Sequence, residues 1–323
     1  MKNKVIACVL AVTMLAGIFA GCSKTTKVTQ KSFINACKKL KLEEIDPEDA
    51  DRNSGMEALE DGLYTIKDGD YLEDAPEEVA DYLESFGLDE IIDVDDVKSV
   101  SIAARGSGLD DLQDMSDPEE LEDAETDLAF AMLIELDEDY VKDVMDYVED
   151  QLDTYDITTK NLSNKEYLSS KNNGYYRLHV DISKFTKLIL ENDDLMELIG
   201  AYYDEDDFED LCKALSGDIA FSLEVNKDSI FIIGGFSLNT KPSELNSFSS
   251  AFGASNPAKI PMNNKFVEEV IENLIANMGS LSKNLGGLQD IDLDIDDDDY
   301  DYDDYDDYDD YDDYDYDYDD EDI

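Results

Sequence analysis

The sequence predicts an α+β fold: an antiparallel sheet with helices packed on one face, as one unit or as two similar subdomains, ending in a disordered acidic tail. Three observations predict it. Ile219–Val225 and Ile230–Leu238 are apolar runs separated by the turn Asn226-Lys227-Asp228-Ser229, which reads as a hairpin. Leu128–Leu136 and Tyr175–Val180 are strand-like and each is followed by helical periodicity. Strands that pair with neighbours as well as alternate with helices favour α+β over a doubly wound parallel sheet. Finally, residues 291–323 hold 20 Asp, one Glu and no base, with no apolar pattern to offset chain entropy.

The first element is an address. Lys2 and Lys4 precede the apolar run Val5–Ala20, and Gly21-Cys22 follow. A charged start, a short apolar stretch and small residues before a break mark a secretory signal. The stretch Phe19-Ala20-Gly21-Cys22 resembles the lipobox of bacterial lipoprotein precursors. The resemblance covers residues 1–22. It implies that the Cys22 thiol carries a diacylglyceryl group and that signal peptidase II cuts before it. The mature chain would then be held by its lipid on the extracytoplasmic face of the cell membrane. Phe19 departs from the family pattern, where Leu or another aliphatic residue is commoner. Two alternatives stay open: cleavage after Ala20, or an uncleaved anchor. The 16 residues of Val5–Ala20 are short of the ~20 that a spanning helix needs.

The expected domains are a signal peptide over 1–21, a lipid-anchored basic tether over 22–29, an acidic exterior domain over 30–287 and the tail over 288–323. The neck is basic: Lys24, Lys27, Lys31, Lys38, Lys39 and Lys41 come before the first acid, Glu43. Lysines near an anionic lipid surface add about 1 kcal/mol each and supplement a lipid anchor. Phe33, Ile34, Cys37 and Leu40 predict a helix from about Gln30, with Ser32 as its cap.

From Glu43 to Asp61 the acids, Pro47 and Gly55 predict loop. Leu63–Lys67, bracketed by Asp61-Gly62 and Asp68-Gly69, predicts a strand. Pro76 opens an expected helix with Val79, Tyr82, Leu83 and Phe86 on one side and Gly87 at its end. Val97–Ala104 alternates as a half-buried strand, and Arg105-Gly106-Ser107-Gly108 reads as its flexible exit. Asp110–Thr126 is an expected loop. Leu128–Leu136 is an expected central strand, Asp137 a helix cap, and Tyr140 to Leu152 a helix. Thr154–Lys165 is the expected subdomain boundary. After Tyr175–Val180 comes a helix with Phe185, Leu188 and Ile189. Phe208, Leu211, Cys212 and Leu215 predict another, closed by Gly217. A Pro- and Ser-bearing connector then leads to a last helix from about Asn264 to Leu281, and Gly286-Gly287 ends the fold.

The net charge is −58. Residues 22–290 alone hold 62 acids against 23 bases, a net of −39. Such a field disfavours nucleic acid and anionic surfaces as partners. In the tail, Tyr302, Tyr305, Tyr308, Tyr311 and Tyr314 recur every third residue. A polyproline II helix would put them on one face. The tail is expected to serve as a solvated spacer, with three alternatives open: weak binding of Ca2+ or other divalent cations, docking on a basic protein, or neutral repeat expansion. The acidic runs Asp93-Val94-Asp95-Asp96 and Asp204-Glu205-Asp206-Asp207 read as solvated loops rather than cation sites.

No catalytic constellation is evident, and no cofactor or metal is expected. His179 is the only histidine, which removes multi-histidine zinc and iron sites. Asp181 shares its strand face, but no G-x-S-x-G elbow supplies a nucleophile. Cys37 and Cys212 read as separate buried thiols, with a disulfide as the alternative. The expected role is binding, envelope structure or interaction rather than catalysis. A cation- or solute-binding lipoprotein is the second reading and an envelope hydrolase the third.

Overall fold

Two long apolar strands form the middle of the fold. In the computed structural model, β4 (Thr126–Leu136) runs antiparallel to β8 (Ser229–Leu238), in register from Thr126↔Leu238 to Glu135↔Ser229. The structure describes residues 27–46, 56–69, 72, 80, 83, 88–109, 121, 124–154, 167–171, 173–200 and 205–273. The lipobox, most of the helix expected after Pro76, most of the boundary at 154–165, Gly286-Gly287 and the tail lie outside these residues.

The remaining strands are β1 (Glu43–Glu44), β2 (Leu63–Asp68), β3 (Val97–Ser107), β5 (Leu168–Lys171), β6 (Asn173–Asp181) and β7 (Gly217–Asn226). Their order is β1-β2-β3-β4-β8-β7-β6-β5. All neighbours are antiparallel except β1 and β2, which are parallel. The β7–β8 hairpin closes on Asn226↔Ser229, at the turn the sequence predicts. The runs β2-β3-β4 and β6-β7-β8 repeat one order from the edge to the centre. The resemblance between halves is therefore built into one continuous sheet among the described residues.

The class is the expected one, but the helices cover both faces of the sheet rather than one. Side chains alternate across a strand, and the central strands are apolar on both sides. Met132, Ile134, Ile230 and Ile232 enter one core; Ala131, Leu133, Phe231 and Ile233 enter the other. Each face needs its own cover. Over the Leu133 side lie α1 (Gln30–Leu40) and α7 (Ser243–Phe252), which also pack on each other. Over the Ile134 side lie α3 (Val141–Thr154), α8 (residues 264–273), α4 (Ile182–Leu190) and α5 (Asp193–Gly200). α6 (Glu205–Ala214) packs against α4, and α2 (Met56–Asp61) lies beside β3.

Local details refine the sequence reading. Thr29, not Ser32, caps α1: its hydroxyl accepts from the Ser32 N–H, while the Ser32 hydroxyl accepts from the Thr29 N–H at 2.8 Å. Asp137 does not cap α3. Its N–H donates to the Asp96 carbonyl and its carboxylate pairs with Lys98 at 2.6 Å, which holds it at the end of the sheet. Asp139 accepts from the Val141 N–H instead, at 3.3 Å.

The segment 105–107 is strand rather than flexible exit. Arg105 pairs with Ala129 and Gly106 with Leu128 in the β3–β4 ladder. The Arg105 guanidinium donates from Nε to Glu244 at 2.7 Å and from Nη1 to the Leu40 carbonyl at 2.9 Å. One side chain thus fixes the end of α1 and the start of α7. Gly217 begins β7 instead of ending α6; its φ of +125° is open to glycine alone, and a Cβ there would sit 2.1 Å from the Ser237 carbonyl.

The connector before the last helix contains α7, and the stretch read as loop before Asp61 contains α2. The apolar positions of α7 are Leu245, Phe248 and Phe252, all buried. Its start is capped from a distant strand: the Asp127 carboxylate accepts from the Glu244 N–H at 2.9 Å. Gly235 lets α7 approach, since a Cβ there would lie 2.9 Å from the Leu245 Cβ. No helix among the described residues is long and apolar enough to cross a membrane.

Candidate functional site

The strongest concentration of buried polar chemistry lies on β6 and β7, away from the α3 core. Tyr176, Leu178 and Val180 enter that core from β6, and Leu223 and Val225 enter it from β7. Alternation sends Tyr175, Arg177 and His179, with Asp218, Ser222 and Glu224, to the opposite face. The ladder sets Arg177 beside Ser222, His179 beside Ala220 and Asp181 beside Asp218. A 3-10 turn at Pro257–Lys259, with Asn256 as its cap, packs over both strands.

Arg177 and Glu224 are each 0% exposed. Arg177 Nη2 donates to Glu224 at 2.6 Å and Nε donates to the Ser222 hydroxyl at 2.8 Å. The guanidinium carbon stands 4.5 Å from the Tyr175 ring centroid. Planar guanidinium suits such a paired, stacked setting better than an ammonium.

His179 is 8% exposed. Its Nδ1 meets the Ile260 carbonyl in a short contact, and its Nε2 meets Asp218 at 2.7 Å. Both partners are acceptors, and between them they engage both ring nitrogens. The ring ties the 260 segment to the β6–β7 pair.

Asp181, the acid the sequence placed beside His179, turns to the start of α4. It accepts from the Lys184 N–H at 3.1 Å and pairs with Lys184 Nζ at 2.5 Å. Partial burial works to raise its pKa, but those two hydrogen bonds and the Lys184 charge outweigh it and hold the carboxyl below the usual carboxylate range. Asp218 is the residue sequence reasoning missed. Only the β6–β7 register brings it to the histidine.

Asp218 and Asp181 also line an open depression of about 610 Å³, with Ser183, Ser216, Asn239 and Lys241 around them. The two serines are engaged with the backbone or with neighbours: Ser183 donates to the Leu215 carbonyl at 3.3 Å, and the Ser216 N–H donates to Asn239 at 3.0 Å. The site has polar partners and a carboxylate at its rim. The histidine is committed inside the fold rather than presented to the depression.

Cys37 and Cys212 are free and buried, so the disulfide alternative fails. Cys37 lies in the core under α1, whereas Cys212 is on α6, which packs with the helices of the other face. Burial pushes the Cys37 thiol up to about 12 and the Cys212 thiol up to about 11. Thiolate, the reactive form, is scarce at neutral pH. Neither thiol is expected to react with a maleimide in the folded protein, and both should react after denaturation. Rapid labelling of the native chain would contradict the buried placement.

The acidic runs also have structural tasks. Asp93 caps a 3-10 turn at Val94–Asp96, accepting from the Asp95 N–H at 3.1 Å, and Asp96 accepts from the Tyr140 hydroxyl. Glu205, Asp206 and Asp207 open α6, where the helix dipole favours acids. Among the described residues no group of three or more His, Cys, Asp or Glu is arranged to hold a metal ion. Compared with family models, with curated proteins and with solved structures, the chain matches none.

Proposed function

We propose that the chain is an exported lipoprotein, tethered by a lipid on Cys22 to the extracytoplasmic face of the cell membrane, with a non-catalytic role in binding, envelope structure or interaction. The observation that carries the proposal is the run from Lys2 through Val5–Ala20 to Gly21-Cys22, followed by a lysine-rich neck. The non-catalytic part is supported by the single histidine. Its two ring nitrogens are occupied by Ile260 and Asp218.

The test is the intact mass of protein purified from membranes, for wild type and Cys22→Ala. The wild type is expected to have the mass of residues 22–323 plus acyl chains. The variant is expected to lose both the acyl mass and membrane retention. An unmodified precursor, or a soluble chain cut after Ala20, would overturn the proposal.

A further inference from the structure

The two helical layers differ in charge as sharply as they differ in position. In a chain of net charge −58, α1 contains Lys31, Lys38 and Lys39 and no acid, and its C-cap is Lys41. All four lysines are exposed. Beside α1, the helix α7 contains one acid, Glu244, which is bound to Arg105; the rest of its surface is Ser and Asn. Lys259 extends the basic surface over β6 and β7. Acids on this side among the described residues are engaged or peripheral: Asp127 caps α7, Glu135 accepts from the Gln30 N–H, Glu224 is buried against Arg177, and Glu43 and Glu44 stand on the edge strand β1. The opposite layer is acidic. There α3 holds five acids and one lysine, and α6 holds five acids and one lysine.

We propose that the α1/α7 face is the surface the domain lays on an anionic lipid headgroup layer. This rests on the lipid anchor at Cys22 and goes further, by assigning which side of the sheet meets the membrane. Only seven residues separate Cys22 from Gln30, the first residue of α1. A chain of that length reaches at most about 25 Å, so α1 stays near the surface that holds the lipid. The total charge does not forbid this approach. Each helix layer is roughly 10 Å thick, so acids of the far layer lie about two Debye lengths from a surface touched by α1. The lipid headgroups meet lysines and a serine-rich helix; the screened acids face away.

The experiment uses the full lipidated protein in vesicles of phosphatidylcholine with or without phosphatidylglycerol. Flotation reports anchoring. A fluorophore at Asn35→Cys on α1 or at Asp146→Cys on α3 reports proximity to a headgroup nitroxide; the native thiols are buried. With phosphatidylglycerol, quenching at position 35 is expected to exceed that at 146 several-fold. Salt or Lys31→Glu/Lys38→Glu should abolish the difference. The reversal Lys142→Glu/Lys187→Glu on the other layer changes net charge equally and should leave it. Chains that float with both positions equally quenched, or with no effect of the α1 reversal, would overturn the face assignment and leave the anchor standing. Chains that do not float would overturn both.

Discussion

Glu224→Ala is expected to destabilise the domain by roughly 3–5 kcal/mol, because it removes the buried carboxylate paired with the buried Arg177 guanidinium. Arg177 has no route to water, being 0% exposed beneath the 257–260 segment. Its remaining polar partner from a side chain of β7 is the neutral Ser222 hydroxyl. The paired substitution Arg177→Met/Glu224→Leu removes both charges and fills similar volume. It should restore stability to within about 1–2 kcal/mol of wild type, or exceed it. Urea unfolding of the three proteins checks this. Near-equal midpoints for wild type and Glu224→Ala would mean that the pair is hydrated in solution, contrary to its burial here.

Phe33→Ala should have a comparable effect, about 3–5 kcal/mol, but a more local signature. Phe33 is 0% exposed, and its ring centroid is 4.9 Å from that of Phe252, which in turn is 5.6 Å from Phe231 of β8. This chain of rings joins α1 to α7 and to the sheet. An 11-residue helix is too short to persist in water by itself, so losing Phe33 should release α1 before the sheet opens. Hydrogen exchange is expected to rise first over residues 30–40 while the β4–β8 ladder stays protected. The exposed Asn35→Ala, on the same helix, should change stability by less than about 0.5 kcal/mol. Uniform loss of protection across the domain would show that α1 and the sheet unfold as one unit.

What the sequence revealed and what it withheld follow from the range of the interactions involved. The β7–β8 hairpin was legible because an alternating run, an apolar run and the turn between them lie in one stretch of chain. The class was legible for the same reason. The second helical cover was not, because β4 and β8 read as apolar runs without stating how many layers they face. α7 shows the limit most clearly. Its stripe of Leu245, Phe248 and Phe252 is present, but its cap is Asp127, more than a hundred residues upstream, so no local start signal marks it. The histidine site failed in a similar way. Spacing along β6 suggested Asp181, whereas the partner, Asp218, is set by strand register. Local capping geometry decided α1, where both Thr29 and Ser32 were available and only one stands before the first turn.

The ends of the sheet have a consequence for life at high density. Among the described residues the outermost strands are stubs: β1 is two exposed glutamates, and β5 is four residues ending in Lys171. The part of β6 that β5 leaves uncovered is flanked by the 257–260 turn. Long bare strands invite a neighbouring chain to add itself, and short charged ones refuse it. A protein crowded onto a surface meets its copies far more often than one in dilute solution. Blunted margins of this kind disfavour the edge-to-edge addition of a second copy.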